Sequence, residues 1–375
     1  MNEHGQHENQ QPSRFQEIEG RQWFIYRQGM GRDDIPAGIT HVLVEEGTMS
    51  IEDSAFDNSV RFRDGKHDLL QHVRLAKSVL QIGSQSFYYC INLVTVEIPN
   101  DSKLAEIGHH SFTCCESLTG NKMTFPASLR NIREFAFIHC YSLAKLSTHG
   151  DSNDPCQLEA IGEGCYHDCS AMKEVDLSHC PNLREINQVT FKRCSSLKTC
   201  LFPPHLEHIL MRAFEMCTSL EEIVFPTTLQ HIEYRAFRHC TQLKSLKFPA
   251  SVQTVAGQAF QDCTALGPVE FESVASIDSS VFLECSGLHS ITWPQDVIPC
   301  SLLPRLMARL FMGESGRFSM PEKNQTSCLF TFFRANHEMM SSNQRNAPAL
   351  RRSSRRRQTM VRFGGGLVAS KKKKA

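Results

Sequence analysis

A unit of 23 residues occurs twice in close succession within Met211–Pro249, and this repeat constrains the fold more than any other feature of the sequence. The run that starts at Ala213 restarts at Ala236 with almost the same order of residue types. A fixed period in this range is typical of a solenoid, in which each unit buries its apolar face only against its neighbours. We therefore expect a stack of coils whose function is carried by a surface rather than by a pocket.

Three apolar positions of the unit recur along the chain. An aromatic residue is followed after three residues by cysteine, and after three more by an aliphatic residue or methionine. The aromatic positions are Phe56, Phe87, Phe112, Phe137, Tyr166, Phe191, Phe214, Phe237, Phe260 and Phe282. The cysteines, which follow all but the first of them, are Cys90, Cys115, Cys140, Cys169, Cys194, Cys217, Cys240, Cys263 and Cys285. Because these side chains recur once per coil, we expect them to form one continuous core.

Each unit also contains a short strand and a second apolar pair. In Leu243–Phe248 the first, fourth and sixth residues are expected to point inward, and Pro249 ends the strand because it has no N–H for further pairing. The second pair, such as Leu229 and Ile232, is expected to line the opposite wall. This pattern predicts a parallel sheet on one face of the coil and short strands or turns on the other.

From Trp23 to Pro294 these units resemble the BspA-type leucine-rich repeat, a 23-residue subclass with the order Ala-Phe, Cys, Leu and then Ile-x-Phe/Leu-Pro. The block Trp23–Arg27, with Ile35-Pro36 and Ile39–Val42, also resembles the start of the expanded leucine-rich repeat families of unicellular algae. The resemblance implies a right-handed leucine-rich-repeat coil, and it is far more specific for fold than for function. Bacterial and parasite members are often secreted adhesins, so the resemblance adds a cell-surface adhesin to the functions to consider.

Composition divides the chain into four segments. Residues 1–22 are polar and aperiodic, which predicts a disordered N-terminal tail. Residues 23–300 hold the solenoid of about ten repeats. Apolar residues at helical spacing in 301–340 predict a C-terminal helical cap, although its second, densely apolar part is also compatible with a strand. Residues 341–375 are rich in Ser, Asn, Arg, Gly and Lys and predict a disordered basic tail.

The net charge of zero hides an uneven distribution. Eleven Lys or Arg and no Asp or Glu follow from Arg345 onward, so the rest of the chain carries an excess of acids. The N-terminus has no secretory signal pattern, and no stretch of about 18 apolar residues predicts a membrane span. Sixteen cysteines in such a chain predict free, buried thiols in a reducing compartment. We expect a cytoplasmic location, with the nucleus as the alternative.

Neither the cysteines nor the histidines form a pattern typical of catalysis. Cys165, Cys169, His179 and Cys180 are four possible zinc ligands, but their spacing lacks the tight pairs that zinc sites use. The seventeen histidines show no recognisable nucleophile motif, and Gly364–Gly366 does not lie between a strand and a helix as a phosphate loop does. The sequence therefore predicts no catalytic residue, no cofactor and no metal.

The outward face of the predicted sheet offers a candidate binding surface. The next-to-last strand position gives one exposed residue per coil, in the series Leu43, Arg74, Glu97, Thr124, Ser147, Asp176, Leu201, Val224, Lys247, Glu270 and Thr292. Leu201 beside Val224 interrupts a polar column, and with Asp176 and Lys247 they are the candidate partner-binding residues. Solvated strands also tolerate single apolar residues without any function, so both readings stay open.

The basic tail is the second candidate. This segment contains Arg351, Arg352, Arg355, Arg356 and Arg357, followed by four lysines. It suits a nuclear import signal, weak contact with nucleic acid or anionic lipid, or contact with the acidic body, and a solvated tail without a dedicated role is the further alternative. Such contacts add salt dependence without sequence specificity. Ser354 and Thr359 follow paired arginines and are candidate phosphorylation sites, where phosphate would reduce the positive charge.

These observations favour a monomeric, intracellular protein-interaction scaffold of unknown partner. The alternative is a nuclear or nucleic-acid-associated factor that binds through residues 351–375. A cell-surface adhesin is a weaker prediction, and an enzyme is the weakest because the sequence shows no catalytic constellation.

Overall fold

The computed structural model describes residues 13–59, 65–121, 123–148, 155–273 and 276–292, which form short strands joined by turns. In chain order the strands are Phe15–Ile18 (β1), Arg21–Tyr26 (β2), His41–Val44 (β3), Ser50–Ile51 (β4), His72–Arg74 (β5), Gln81–Ile82 (β6), Thr95–Glu97 (β7), Glu106–Ile107 (β8), Asn131–Ile132 (β9), Lys145–Leu146 (β10), Ala160–Ile161 (β11), Glu174–Asp176 (β12), Glu185–Ile186 (β13), Thr199–Leu201 (β14), His208–Ile209 (β15), Glu222–Ile223 (β16), His231–Ile232 (β17), Leu246–Phe248 (β18), Thr254–Val255 (β19), Pro268–Phe271 (β20), Ser276–Ile277 (β21) and Ser290–Thr292 (β22). Within these ranges the only helix is the 3-10 turn Arg32–Asp34.

Successive repeats stack so that strands at equivalent positions pair in parallel. One face of the coil carries the sheets β1-β2-β3-β5-β7, β10-β12-β14-β16 and β18-β20-β22. The other carries β4-β6-β8-β9-β11 and β13-β15-β17-β19-β21, whose members are mostly two residues long. The predicted repeat solenoid, with a parallel sheet on one face and short strands on the other, is confirmed. In Leu243–Phe248 the first, fourth and sixth residues are buried as expected.

The sheet begins earlier than the sequence pattern indicates. We expected residues 1–22 to be a disordered tail, but β1 pairs antiparallel with β2 through the turn at Glu19 and Gly20. The ring of Phe15 packs edge-on against that of Phe24, with 5.7 Å between ring centroids. Strand β1 is largely exposed and polar, so its sequence lacks the apolar alternation by which strands are recognised. It pairs with the first edge of the sheet, which solenoids must protect.

The repeated aromatic residues form a continuous stack through the core. Neighbouring rings lie 5.0–5.9 Å apart between centroids and are inclined by only 2–25° from Phe56 to Phe282. This distance follows from the spacing of adjacent parallel strands, about 4.8 Å, which sets the rise of the coil. A second stack joins Phe202, Phe225, Phe248 and Phe271. Each ring is thus buried chiefly by its neighbours in the stack.

The nine repeated cysteines form a parallel row, and each links two coils through its thiol. Each Sγ donates to the carbonyl oxygen of the aromatic residue in the preceding coil, at 3.0–3.4 Å. Burial raises the pKa of thiols such as Cys194 and Cys240, which keeps them protonated and able to donate. The sequence predicted the burial of this row, and the structure adds its hydrogen bonds.

The residue before each of these cysteines has a left-handed backbone. Its φ is 59–66° from Tyr89 to Glu284, although no glycine occupies the position. A side chain there costs about 1–2 kcal/mol per residue. The conformation turns the N–H toward the next coil, as in Met216 N to Arg238 O and His239 N to Gln261 O, both 2.8 Å. The inter-coil hydrogen bond formed by this N–H offsets the strain.

Two predicted segments lie outside the described residues: the helical cap at 301–340 and the basic tail at 341–375. The four-part division of the chain therefore stays a prediction at its C-terminal end. Across the described ranges, no helix has the length and apolar character needed to cross a membrane.

Candidate partner-binding surface

The column of candidate residues from Leu43 to Thr292 runs along the first face of the coil, and its members lie in the strands of that face or next to them. The Cα partners across neighbouring strands are Leu43 with Arg74, Arg74 with Glu97, Asp176 with Leu201, Lys247 with Glu270, and Glu270 with Thr292. Alternation along the strand turns these side chains outward while their neighbours point into the core. The register expected from the repeat is therefore the one observed.

Leu201 and Val224 are the exposed apolar residues of this column. Leu201 is 52% exposed and Val224 is 81% exposed. Strands β14 and β16 pair through Cys200 and Ile223, so the next position of each places Leu201 beside Val224. Cys200 and Ile223 are themselves buried, which anchors the strands below the patch. We call these two side chains the Leu201–Val224 patch.

The patch has a polar border on the same face. Thr199 precedes Leu201 by two residues, and Glu222 precedes Val224 by two residues. On the neighbouring strand β12, Glu174 is the Cα partner of Thr199. All three are exposed. An apolar centre with a polar, acidic border resembles the anatomy of a protein interface.

Asp176 and Lys247, the two charged candidates, already have partners within the chain. Asp176 Oδ1 accepts hydrogen bonds from the backbone N–H of Ser178 at 3.0 Å and from its hydroxyl at 2.7 Å. Lys247 Nζ lies 3.0 Å from Glu272 Oε1, and this hydrogen bond raises the pKa of Lys247. Strand β18 belongs to a different sheet from β16, so the structure brings together Asp176, Leu201 and Val224, with Lys247 on the next sheet.

The cysteines considered as metal ligands have different partners in the fold. Cys169 belongs to the thiol row and donates to Phe137 O, and burial raises the pKa of both Cys165 and Cys169. Cys180 instead contacts Cys156, a residue that was not among the ligands considered from the sequence. Within the described ranges, no three metal-ligating side chains converge.

A buried ionic cluster around Glu215 was not foreseen from the sequence. Its side chain is only 5% exposed and lies 3.0 Å from Lys192 Nζ, 3.2 Å from Arg238 Nη1 and 3.8 Å from Arg212 Nε. Burial acts to raise the pKa of Glu215, but the hydrogen bonds from Lys192 and Arg238 outweigh it and the pKa is lowered. Glu215 directly follows the repeated aromatic residue of its unit, and the same position carries Lys192 in the preceding unit and Arg238 in the next. This alternation of charge is the sequence signal for the cluster.

A polar groove of about 190 Å³ lies on the second face, lined by Asn131, Arg133, Glu134, Glu163 and Asn187, among others. Its charged groups are paired with protein: Arg133 with Glu106 at 3.0 Å, and Glu134 with His109 at 2.5 Å. We assign no chemistry to it.

One protein-family model matches the repeats of this chain. The model of the BspA type leucine rich repeat region matches residues 62–154, 152–267 and 207–301, with six copies. These overlapping matches cover more than half of the chain. The chain belongs to the BspA-type leucine-rich repeat family. The resemblance noted from the sequence is therefore confirmed.

Solved structures similar to this BspA-type chain include three bacterial proteins. The T. pallidum leucine-rich repeat protein is 26% identical, over 56% of this chain and 87% of its own, with a TM-score of 0.40. A leucine-rich repeat protein from Bacteroides ovatus is 18% identical, over 82% and 97%, with a TM-score of 0.47. The pneumococcal vaccine antigen PcpA is 20% identical, over 76% and 75%, with a TM-score of 0.42. A search among curated proteins found no match.

The candidate residues of the basic tail, Arg351 to Arg357 with Ser354 and Thr359, lie outside the described part of the chain. Their roles stay predictions from sequence.

Proposed function

We propose that this BspA-type repeat protein is a non-catalytic scaffold that binds a protein partner on the outward side of the sheet β10-β12-β14-β16. The observation that carries the proposal is the Leu201–Val224 patch, where two adjacent side chains are 52% and 81% exposed. The other residues of the column are polar, apart from the partly buried Leu43. Binding energy in protein interfaces is concentrated in a few well-packed side chains with a polar rim around them. The rigid stack holds both side chains on paired strands, so little ordering is needed on binding.

The test is affinity capture with the full-length chain and its Leu201→Asp/Val224→Asp variant. We expect the partner recovered with the wild-type chain to be depleted at least tenfold with the double variant, since burying a carboxylate against an apolar surface costs more than 1.4 kcal/mol. Leu69→Asp is the matched control, because Leu69 is 53% exposed and lies outside the strands of the column. Equal recovery by all three proteins would contradict the proposal.

An intracellular location is part of the proposal and is supported by the thiol row. Each repeated cysteine uses its S–H to hold the preceding coil, so oxidation of this row would remove inter-coil hydrogen bonds. A reducing compartment keeps these cysteines as thiols, the form that carries the S–H donor. Thiol counting on protein taken directly from cells tests this: fully reduced row cysteines agree with the proposal, and oxidised ones would contradict it.

Two other roles rest on separate observations. The eleven bases after residue 344 favour contact with a polyanion or import into the nucleus, and a chain lacking residues 345–375 should then leave the nucleus or release nucleic acid. A similar structure is described as a leucine rich cell surface protein from Faecalibacterium prausnitzii, and this name motivates the adhesin alternative. Finding the chain on the cell surface would favour the adhesin over the scaffold.

A further inference from the structure

Two buried cysteines outside the thiol row lie against each other. Cys156 and Cys180 occupy neighbouring coils and are 1% and 0% exposed. Their Sγ atoms are 3.1 Å apart, and the thiol of Cys180 donates to the sulfur of Cys156. Row cysteines such as Cys194 donate to a backbone carbonyl instead. The pair is therefore held sulfur to sulfur.

The surroundings favour one thiolate in the pair. The hydrogen bond from Cys180 lowers the pKa of Cys156 against the opposing effect of burial, and the Leu158 N–H and the Thr148 hydroxyl add to the lowering. The Thr148 Oγ1 atom is 3.6 Å from Cys180 Sγ. The pKa of Cys180 is raised, first by its hydrogen bond to Cys156 and then by burial. One sulfur is thus prepared as a nucleophile and its neighbour carries the proton.

We propose that Cys156 and Cys180 form a peroxide-reactive redox site, which a hydroperoxide converts into a reversible disulfide between two neighbouring coils. The two sulfurs must approach by about 1 Å to reach the S–S bond length. This proposal does not depend on the partner-binding role, since it rests on side chains in the core. Reduction of this disulfide by a cellular dithiol restores the two thiols.

The reaction balances in two steps. The thiolate of Cys156 attacks one oxygen of hydrogen peroxide; an S–O bond forms, the O–O bond breaks, and the leaving hydroxide takes a proton to become water. The sulfur of Cys180 then attacks the sulfur of the Cys156 sulfenic acid. An S–S bond forms, the S–O bond breaks, and the leaving hydroxide takes the Cys180 proton. In total two thiols are oxidised and one peroxide is reduced to two waters.

The experiment treats the full-length reduced protein with hydrogen peroxide and maps its peptides without reduction. Cleavage after Lys, Arg and Glu isolates Cys156 within residues 146–159 and Cys180 within residues 175–184, each with one cysteine. We expect these two peptides to become linked at a peroxide concentration at least tenfold below that which modifies row cysteines such as Cys194. Row cysteines that oxidise at the same concentration, or an absence of the linked peptide, would overturn the proposal.

Single variants assign the two roles. Cys180→Ser should leave Cys156 as a sulfenic acid that dimedone labels, because the resolving thiol is gone. Cys156→Ser should abolish both the linkage and labelling at Cys180. Cys194→Ser is the control that leaves the pair intact and should still form the linked peptide. An absence of dimedone labelling at Cys156 in Cys180→Ser, in protein whose circular dichroism matches the wild type, would also refute the assignment.

Discussion

Replacing Glu215 by Gln removes a buried negative charge that faces three cations, and among the described residues only one of these cations, Arg238, also lies near a second carboxylate, Asp262, at 3.7 Å. The side chain is 5% exposed, and Lys192 and Arg238 lie within 3.2 Å of its carboxylate. Breaking a buried ion pair by removing one partner costs about 3–5 kcal/mol. Because the side chains of Lys192, Arg238 and Arg212 are 21–34% exposed, water compensates part of this loss. We therefore expect Glu215→Gln to lower the free energy of unfolding by about 2–3 kcal/mol.

The assay is thermal unfolding by circular dichroism at pH 7, where this loss corresponds to a fall of roughly 4–10 °C in Tm. Glu221→Gln is the control, since Glu221 pairs with Lys244 at 2.5 Å with side chains that are 39% and 59% exposed. Exposed pairs of this kind contribute little, so its Tm should stay close to the wild type. Equal Tm values for the two variants would refute the argument from burial.

The pH dependence gives a second check on the same charge. The pKa of Glu215 is lowered in the folded state, so its ionised form contributes stability above the unfolded pKa of about 4.3. That contribution is lost as the pH falls through the lower, folded-state pKa. The difference in Tm between wild type and Glu215→Gln should thus be largest near neutral pH and shrink below about pH 4. A difference that stays constant from pH 7 to pH 3 would contradict the assignment.

Two further substitutions test the packing of the coils. The hydroxyl of Tyr166 is buried beside the thiol of Cys165, which is a weak hydrogen-bond partner, and nine equivalent positions carry Phe. Tyr166→Phe should therefore change the free energy of unfolding by no more than about 1 kcal/mol and leave the Tm close to that of the wild type; a loss of several degrees would show that the hydroxyl has a stronger partner. A Cβ at Gly162 would lie 2.4 Å from Glu134 N and 2.6 Å from Arg133 C, so Gly162→Ala should destabilise by about 1–3 kcal/mol. Gly31→Ala is its control, because the nearest atom to a Cβ there is 4.0 Å away, and equal urea midpoints for the two would contradict the close approach.

Repeat spacing determined most of the fold. Because each coil pairs residue for residue with the next, one period assigns the buried side of Phe214, Cys217 and Leu220 and of their equivalents in other coils. The same period predicts that Leu201 and Val224 point outward. Their exposure follows from alternation along a strand whose inner residues are known.

Features that depend on the exact contact between coils were not predictable. No glycine indicates the left-handed backbone at Met216 or His239, because a hydrogen bond to the next coil stabilises it rather than a residue preference. Strand β1 was missed because its polar residues lack alternation. Cys156 and Cys180 are 24 residues apart in the sequence, and neither belongs to the repeated row of cysteines. Their contact is therefore visible only once neighbouring coils are stacked.

The central claim is that the Leu201–Val224 patch contacts a protein partner, and site-specific photocrosslinking tests it most directly. Benzoylphenylalanine is placed at Val224 in one chain and at Leu69 in another, and each is irradiated with the partner recovered by affinity capture. We expect a covalent complex between the chain and its partner when the crosslinker is at position 224, and none when it is at position 69. A partner that still binds but crosslinks at neither position, or only at 69, would contradict it.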